Sequence, residues 1–297
     1  MSDEKIKVLF DTDIGSDIDD AVALAYLLSE PRCELVGITA VSGQVCLRAE
    51  MASAMCINVG RDDIPVYAGA EKPLLIPNAQ PAAPQAAALG ARPRRKDFQP
   101  GAAIEFMRRT IRENPGQITL LAVGPLTNLA LLFAADPELP SLLKQVVLMG
   151  GRFFAAGGEW NIYVDPHAAS IVYGGGAQSR PPRHVSYGLD VTLRCSMPAE
   201  QCRQRFTAKV LQPVRDFAEV WFTHRPQIVF HDPLAAVSLF EPDLCQYKQG
   251  LVEVSTTPPT SGVTVFSEPK DENTRPHTVA GDVAAERFFN RYFGTVK

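Results

Sequence analysis

Short unbroken apolar runs alternate with longer amphipathic segments through the first half of the chain. Residues 6–10, 34–41, 64–67, 118–123 and 145–149 read as strands, and residues 19–28, 47–59, 102–113 and 127–134 read as helices between them. Strands buried on both faces give such continuous Val, Ile and Leu runs. The pattern therefore predicts an α/β fold with a mostly parallel central sheet flanked by helices.

After residue 165 the pattern becomes more helical, with helices expected at 168–173, 199–210, 213–222 and 233–240 and strands at 184–189, 251–255 and 277–280. Residues 76–100 interrupt the alternation with a Pro/Ala-rich stretch carrying Arg92-Pro93-Arg94-Arg95-Lys96, expected to be an active-site loop. No internal repeat or linker marks a second unit, so residues 1–297 are expected to form one domain.

Composition narrows the function class. The 297 residues are 46% hydrophobic and 21% charged with a net charge of −4, which supports a large core and offers no basic footprint for nucleic acid. A small-molecule partner is expected. No apolar run reaches the roughly 20 residues of a membrane span, and the opening MSDEKIK lacks an apolar leader segment, so a cytoplasmic location is expected. The six cysteines are scattered without a CxxC pair, which reads as reduced thiols.

The densest chemistry follows the first strand. DTDIGSDIDDA places five carboxylates (Asp11, Asp13, Asp17, Asp19, Asp20) at its carboxyl end, a crowding that a hard cation or a cationic substrate offsets. An EF-hand reading fails, because its sixth and twelfth positions hold Ser16 and Val22 instead of Gly and Glu. A strand followed by D-x-D also opens the haloacid-dehalogenase-like phosphatases, which remain a rival. Capping by Asp19 or Asp20 accounts for one acid, not five. Downstream, His231-Asp232-Pro233 and Glu159-Trp160-Asn161 each read as a helix start when taken alone.

Taken together these segments resemble the inosine–uridine-preferring nucleoside hydrolase family. DTDIGSDIDDA, TAVSGQ, PVYAGAEKPL, ITLLAVGPLTNLAL, VVLMGG, EWNIYVDPHAA, GLDVT and HDPLAAV occur in the family's order over nearly the whole chain, and PHTVAGDVAAERFFNRYF is similar to its C-terminal helix. The resemblance implies a Ca²⁺-dependent N-ribohydrolase that acts on ribonucleosides as a homodimer or homotetramer. It also implies metal ligation by Asp13, Asp20, Asp232 and the Val123 carbonyl, an all-oxygen set suited to Ca²⁺. Ribose contacts are implied for Asp19, Gln44, Met149, Glu159 and Asn161, with Trp160 in the same motif.

Cleaving an N-glycosidic bond requires stabilising a cationic sugar, activating water and improving the leaving group. Asp13 is the expected base for the water. His231 is the expected acid for the departing base, with His224 as a second candidate. Phe153, Phe154, Trp160, Trp221 and Phe222 are candidates for a wall against the base. Three departures from the family pattern stand out. Gln44 replaces an Asn, the loop after Met149 is short and lacks an Asn, and residues 77–97 lack a His. They leave open an alternative, a nucleoside-binding homologue without turnover.

Overall fold

The computed structural model describes residues 5–174 and 183–297, without the side chain of Thr274. Its strands are β1 (Ile6–Thr12), β2 (Cys33–Ala40), β3 (Val66–Ala68), β4 (Ile118–Ala122), β5 (Gln145–Met149), β6 (His184–Tyr187), β7 (Ser196–Pro198), β8 (Gln227–Val229), β9 (Cys245–Val254), β10 (Thr264–Ser267) and β11 (His277–Val283). Nine form one sheet in the order β10-β9-β11-β6-β5-β4-β1-β2-β3. Strands β1 to β6 and β11 run parallel, and β9 and β10 close the edge as an antiparallel hairpin. This is the α/β domain with a mostly parallel sheet that the apolar runs predict.

The chain leaves β1 outward through β2 and β3, then returns to the other side of β1 with β4. Strand order therefore reverses between β1 and β4, and in open α/β sheets ligands bind beyond the carboxyl ends at such a reversal. Both faces are covered. The helices Asp19–Ser29, Val45–Asn58, His231–Ser238 and Ala285–Thr295 pack on one face, and Ala102–Glu113, Thr127–Ala135 and Pro166–Gly174 on the other. Asp19–Ser29 is buried from Asp19 to Leu27 because His231–Ser238, Val45–Asn58, Gln212–Phe222 and Ala285–Thr295 all pack against it as it lies on the sheet.

Several boundaries differ from the pattern's reading. The expected 199–210 helix is Ala199–Arg205 followed by a short turn at Lys209–Leu211, because Phe206 turns into the core. The expected 184–189 strand stops at Tyr187, and Leu189–Thr192 coils into a helical turn. The expected strand at 251–255 is the end of the ten-residue β9, which stops at Val254; the first part of β9 alternates in exposure and offers no continuous apolar run, and β10 escapes for the same reason. PHTVAGDVAAERFFNRYF contributes a strand as well as the last helix. In the 76–100 stretch, Pro84–Leu89 forms a short helix against Gln212–Phe222, and Arg92 and Arg94 pair with Asp216 and Glu50. No described helix is long and apolar enough to cross a membrane, and all six cysteines are free.

Candidate active site

Strand β1 delivers Asp11, Thr12 and Asp13 to the reversal point, and all three are buried. Asp11 points into the sheet. Its Oδ1 accepts from Thr39 Oγ1 at 2.5 Å and Asn128 Nδ2 at 2.7 Å, tying β1 to β2 and to the helix after β4. Burial pushes its carboxyl up to about 7. Asp11 does not line the cavity described below, so the nucleophile that a haloacid-dehalogenase-like phosphatase would need has no access to substrate.

Two glycines make room for the loop that follows. Gly15 has a φ of +114°, and a Cβ there would lie 2.8 Å from Met51 Sδ. At Gly124 a Cβ would lie 2.7 Å from Asp13 Oδ1, so glycine lets the Asp13 carboxylate lie against the exit of β4.

Three segments then converge. Thr12 Oγ1 donates to Asp20 Oδ1 at 2.5 Å, and the Asp13 backbone N–H reaches the same oxygen at 3.2 Å. The Asp232 N–H donates to Asp19 Oδ2 at 3.0 Å, joining the start of His231–Ser238 to that of Asp19–Ser29. Asp232 lies inside the helix, whose cap position is Phe230, and its side chain caps nothing. Oxygens of Asp19, Asp20 and Asp232 lie within 4.8 Å of one another, a buried group that could hold a metal ion. The tight trio thus contains Asp19, where the resemblance implies Asp13; Asp13 adjoins it through Asp20.

Burial, then mutual repulsion, pushes Asp19, Asp20 and Asp232 well above the usual carboxylate range. Burial also raises Asp13, against the pull of Arg48, and lifts Asp17 to about 6. Arg48 is fully buried beneath the cluster and spends its donors on carbonyls: Ser42 at 2.6 Å, Ile14 at 3.1 Å, Ala82 at 2.9 Å, and Asp13. One guanidinium does not neutralise this many buried acids. An added hard cation fits the all-oxygen donor set.

Glu159 caps the helix Trp160–Val164 by accepting from the N–H groups of Asn161 (2.9 Å) and Ile162 (3.1 Å), and it also accepts from Gly151 at 3.2 Å. Burial still pushes it to about 7. Asn161 Nδ2 donates to the Val123 carbonyl at 2.7 Å and the Met149 carbonyl at 3.2 Å. A carbonyl accepts twice, so Val123 retains a lone pair for another partner.

These groups surround a cavity of about 600 Å³ lined by Asp13, Asp17, Asp19, Asp20, Val123, Met149, Glu159, Trp160, Asn161, His231 and Asp232, among others. Residues 79–82 and Pro84 of the expected loop form one wall. There Gln80 Nε2 donates to Asp13 Oδ2, and Gln80 Oε1 accepts from the Trp160 indole at 2.5 Å. Trp221 and Arg225 stand on another wall. His231 Nδ1 lies 2.7 Å from Thr192 Oγ1, and burial pushes its ring down to about 4. The β7–β8 ribbon and Phe230, set edge-on to Phe288 and Phe289 at 6.0 and 5.2 Å, fix where His231 emerges.

Some expected residues lie elsewhere. Gln44 is not on the cavity wall: its longer side chain reaches the loop, where Oε1 accepts from the Ala83 N–H at 2.9 Å. His224 is exposed and off the wall. Of the five candidate aromatics only Trp160 and Trp221 line the cavity. Phe153 is buried beside Gly151 and Gly188, Phe154 packs edge-on to Phe266, and Phe222 lies under Arg203. Gln80, Arg225 and Arg48 sit in no motif read from the sequence, and Thr192 ends the GLDVT motif without having been assigned a role. A lone arginine in the apolar helix Val45–Asn58 was the one available signal among them.

The sequence matches the profile of the inosine-uridine preferring nucleoside hydrolases over residues 8–290. It is 33% identical over 272 residues to uridine nucleosidase 1 of Arabidopsis thaliana, covering 84% of this chain and 78% of that one. It is 35% identical over 284 residues to the pyrimidine-specific ribonucleoside hydrolase RihA of Citrobacter koseri, covering 88% of each. The fold superposes on a plant nucleoside hydrolase with a TM-score of 0.83 at 26% identity, covering 98% of both chains. With the carboxylate cluster at the β1/β4 reversal, these likenesses establish that the chain belongs to the inosine-uridine preferring nucleoside hydrolase family of N-ribohydrolases.

Proposed function

We propose that this chain hydrolyses the N-glycosidic bond of ribonucleosides to ribose and free base, and that it does so with bound Ca²⁺. The observation that carries the reading is the shared cavity: the buried carboxylates, the Val123 carbonyl and His231 all line it. Asp13, Asp20, Asp232 and the Val123 carbonyl would hold the ion, with Asp19 within reach of the same group. When bound, Ca²⁺ supplies positive charge that orients the attacking water and the ribose diol.

The chain's own residues do the rest. Asp13 accepts the proton of the attacking water, and the surrounding acids favour positive charge developing on the ribose. Asp19, Glu159, Asn161 and Met149 face the sugar. Thr192 holds the His231 ring so that the neutral imidazole, with its proton on Nε2, hydrogen-bonds to the departing base as negative charge develops there, and the proton that the base finally gains is the one Asp13 takes from the water. Trp160 and Trp221 flank that base. The free thiols suit a reducing compartment, and the proposal places the chain in the cytoplasm as a homodimer or homotetramer.

Sugar release from ribonucleosides and their 2′-deoxy counterparts tests the reading. Buried groups built to meet hydroxyls reject a sugar lacking one, so ribonucleosides are expected to be favoured by at least about 10²-fold in kcat/KM. Equal turnover of both sugars would sink the diol contact. Binding without turnover would favour a degenerate homologue, and phosphate release from phosphorylated substrates would favour a phosphatase.

A further inference from the structure

The torsion that turns an aspartate's carboxylate is soft, so the side-chain rotamer alone leaves the carboxylate plane open. At Asp13 that plane is set from outside. Its Oδ1 lies against the exit of β4, so close to Gly124 that a Cβ there would stand 2.7 Å away. Its Oδ2 accepts from Gln80 Nε2, 67 positions along the chain. The same amide turns its Oε1 to the Trp160 indole, which donates to it at 2.5 Å. An indole N–H only donates and an ionised carboxylate only accepts. These two neighbours therefore allow one orientation of the amide, nitrogen toward Asp13 and oxygen toward Trp160.

Gln80 keeps this position because its own backbone is held. Its N–H donates to Asn78 Oδ1 at 2.8 Å, and its carbonyl accepts from Ser42 Oγ, beyond the end of β2, at 3.3 Å. Asn78 is tied in turn by its Nδ2 to the Glu71 carbonyl at 2.9 Å. Two residues further on, the Ala82 carbonyl accepts from Arg48 and the Ala83 N–H donates to Gln44, each at 2.9 Å. The side chain itself is buried in the cavity wall. A residue that merely filled this wall would need neither end of an amide. Here both ends are spent, one of them on the acid that takes the proton of the attacking water.

We propose that Gln80 is a positioning residue for water activation: it fixes the plane of the Asp13 carboxylate, and Trp160 keeps its amide the right way round. The inference rests on the ribohydrolase reading for the role of Asp13. Removing a hydrogen bond that orients a carboxylate of this kind costs about 10- to 100-fold in metal affinity or activity. The loss belongs in kcat, because a misaligned base hinders the attack while the groups that hold the nucleoside stay in place.

The test compares the native chain with Gln80→Met, Gln80→Glu and Trp160→Phe on one ribonucleoside at saturating Ca²⁺. Gln80→Met keeps the bulk and loses both ends of the amide. Gln80→Glu keeps the shape and the acceptor for Trp160 but sets a charge against Asp13 in place of the donor. Both are expected to lose about 10- to 100-fold in kcat with KM within about threefold of native. Trp160→Phe keeps a ring and frees the amide, so it is expected to lose less, and adding it to Gln80→Met is expected to cost no further kcat. Titration calorimetry with Ca²⁺ reads the same contact without turnover, and Gln80→Met is expected to bind the ion about tenfold more weakly. Full kcat in Gln80→Glu, a loss confined to KM, or additive losses in the double variant overturns the inference. A native chain that releases no ribose removes the ribohydrolase reading instead, and the calorimetry then decides. Weaker Ca²⁺ binding in Gln80→Met supports the hold on Asp13; equal or tighter binding, or binding by neither chain, overturns it.

Discussion

The backbone N–H of Asp232 donates to Asp19 Oδ2 at 3.0 Å across 213 positions of sequence. That bond brings the first turns of two helices together and crowds their carboxylates with Asp20. Asp19→Asn keeps an acceptor for the N–H while removing one buried charge. The cation-free protein is expected to gain thermal stability, and the rise in Tm on adding Ca²⁺ is expected to shrink, with affinity down about tenfold. Thermal denaturation with chelator and with Ca²⁺ checks both signs; a larger Ca²⁺ response in the variant would contradict the assignment.

Arg48 satisfies the carbonyls of Asp13, Ile14, Ser42 and Ala82 from a fully buried position. Replacing it by methionine strands those acceptors and removes the cluster's internal counter-charge. Arg48→Met is expected to cost about 3–5 kcal/mol in denaturant unfolding. A loss below about 1 kcal/mol would show that the guanidinium does not organise the site.

Thr192 Oγ1 is the one hydrogen-bond partner of the His231 ring among the described residues. His231→Ala is expected to lower kcat by about 10²–10⁴-fold, the usual range for one group that assists proton movement at the leaving group. Thr192→Val keeps the shape and frees the ring, so kcat is expected to fall by about tenfold with KM nearly constant. Steady-state kinetics on one ribonucleoside separates the two parameters, and a fall confined to KM would assign His231 to binding alone.

Glu159 fixes a pH dependence. Burial raises it from 4.5 to about 7, so its stabilising share is full below about 4.5 and is lost as pH rises through 7. The raised acids of the cluster act in the same direction. In chelator, Tm is expected to be at least about 5 °C higher at pH 5 than at pH 8, as followed by calorimetry. Equal values, or the reverse order, would contradict the buried-acid account.

The parallel sheet was legible because each central strand is apolar on both faces, and the Asp13, Asp19 and Asp20 cluster was legible from its crowding at the carboxyl end of the first strand, whereas His231 and Asp232, a plain helix start when taken alone, were read only through the family resemblance. Of the β9–β10 hairpin only the end of β9 was read, since the exposed alternation of the rest gives no continuous run. Gln80 lies in a loop without a local signature, and it acquires meaning only from what the fold sets opposite it. Gln44 shows the reverse case: a residue read from a motif whose extra methylene carries its amide to the loop backbone.

Ribose release from uridine and inosine with and without a calcium chelator tests the central claim most directly. The account predicts release that stops in chelator, returns on adding Ca²⁺, and is lost in Asp13→Asn while that variant stays folded. Undiminished release in chelator, or full activity in Asp13→Asn, would contradict it.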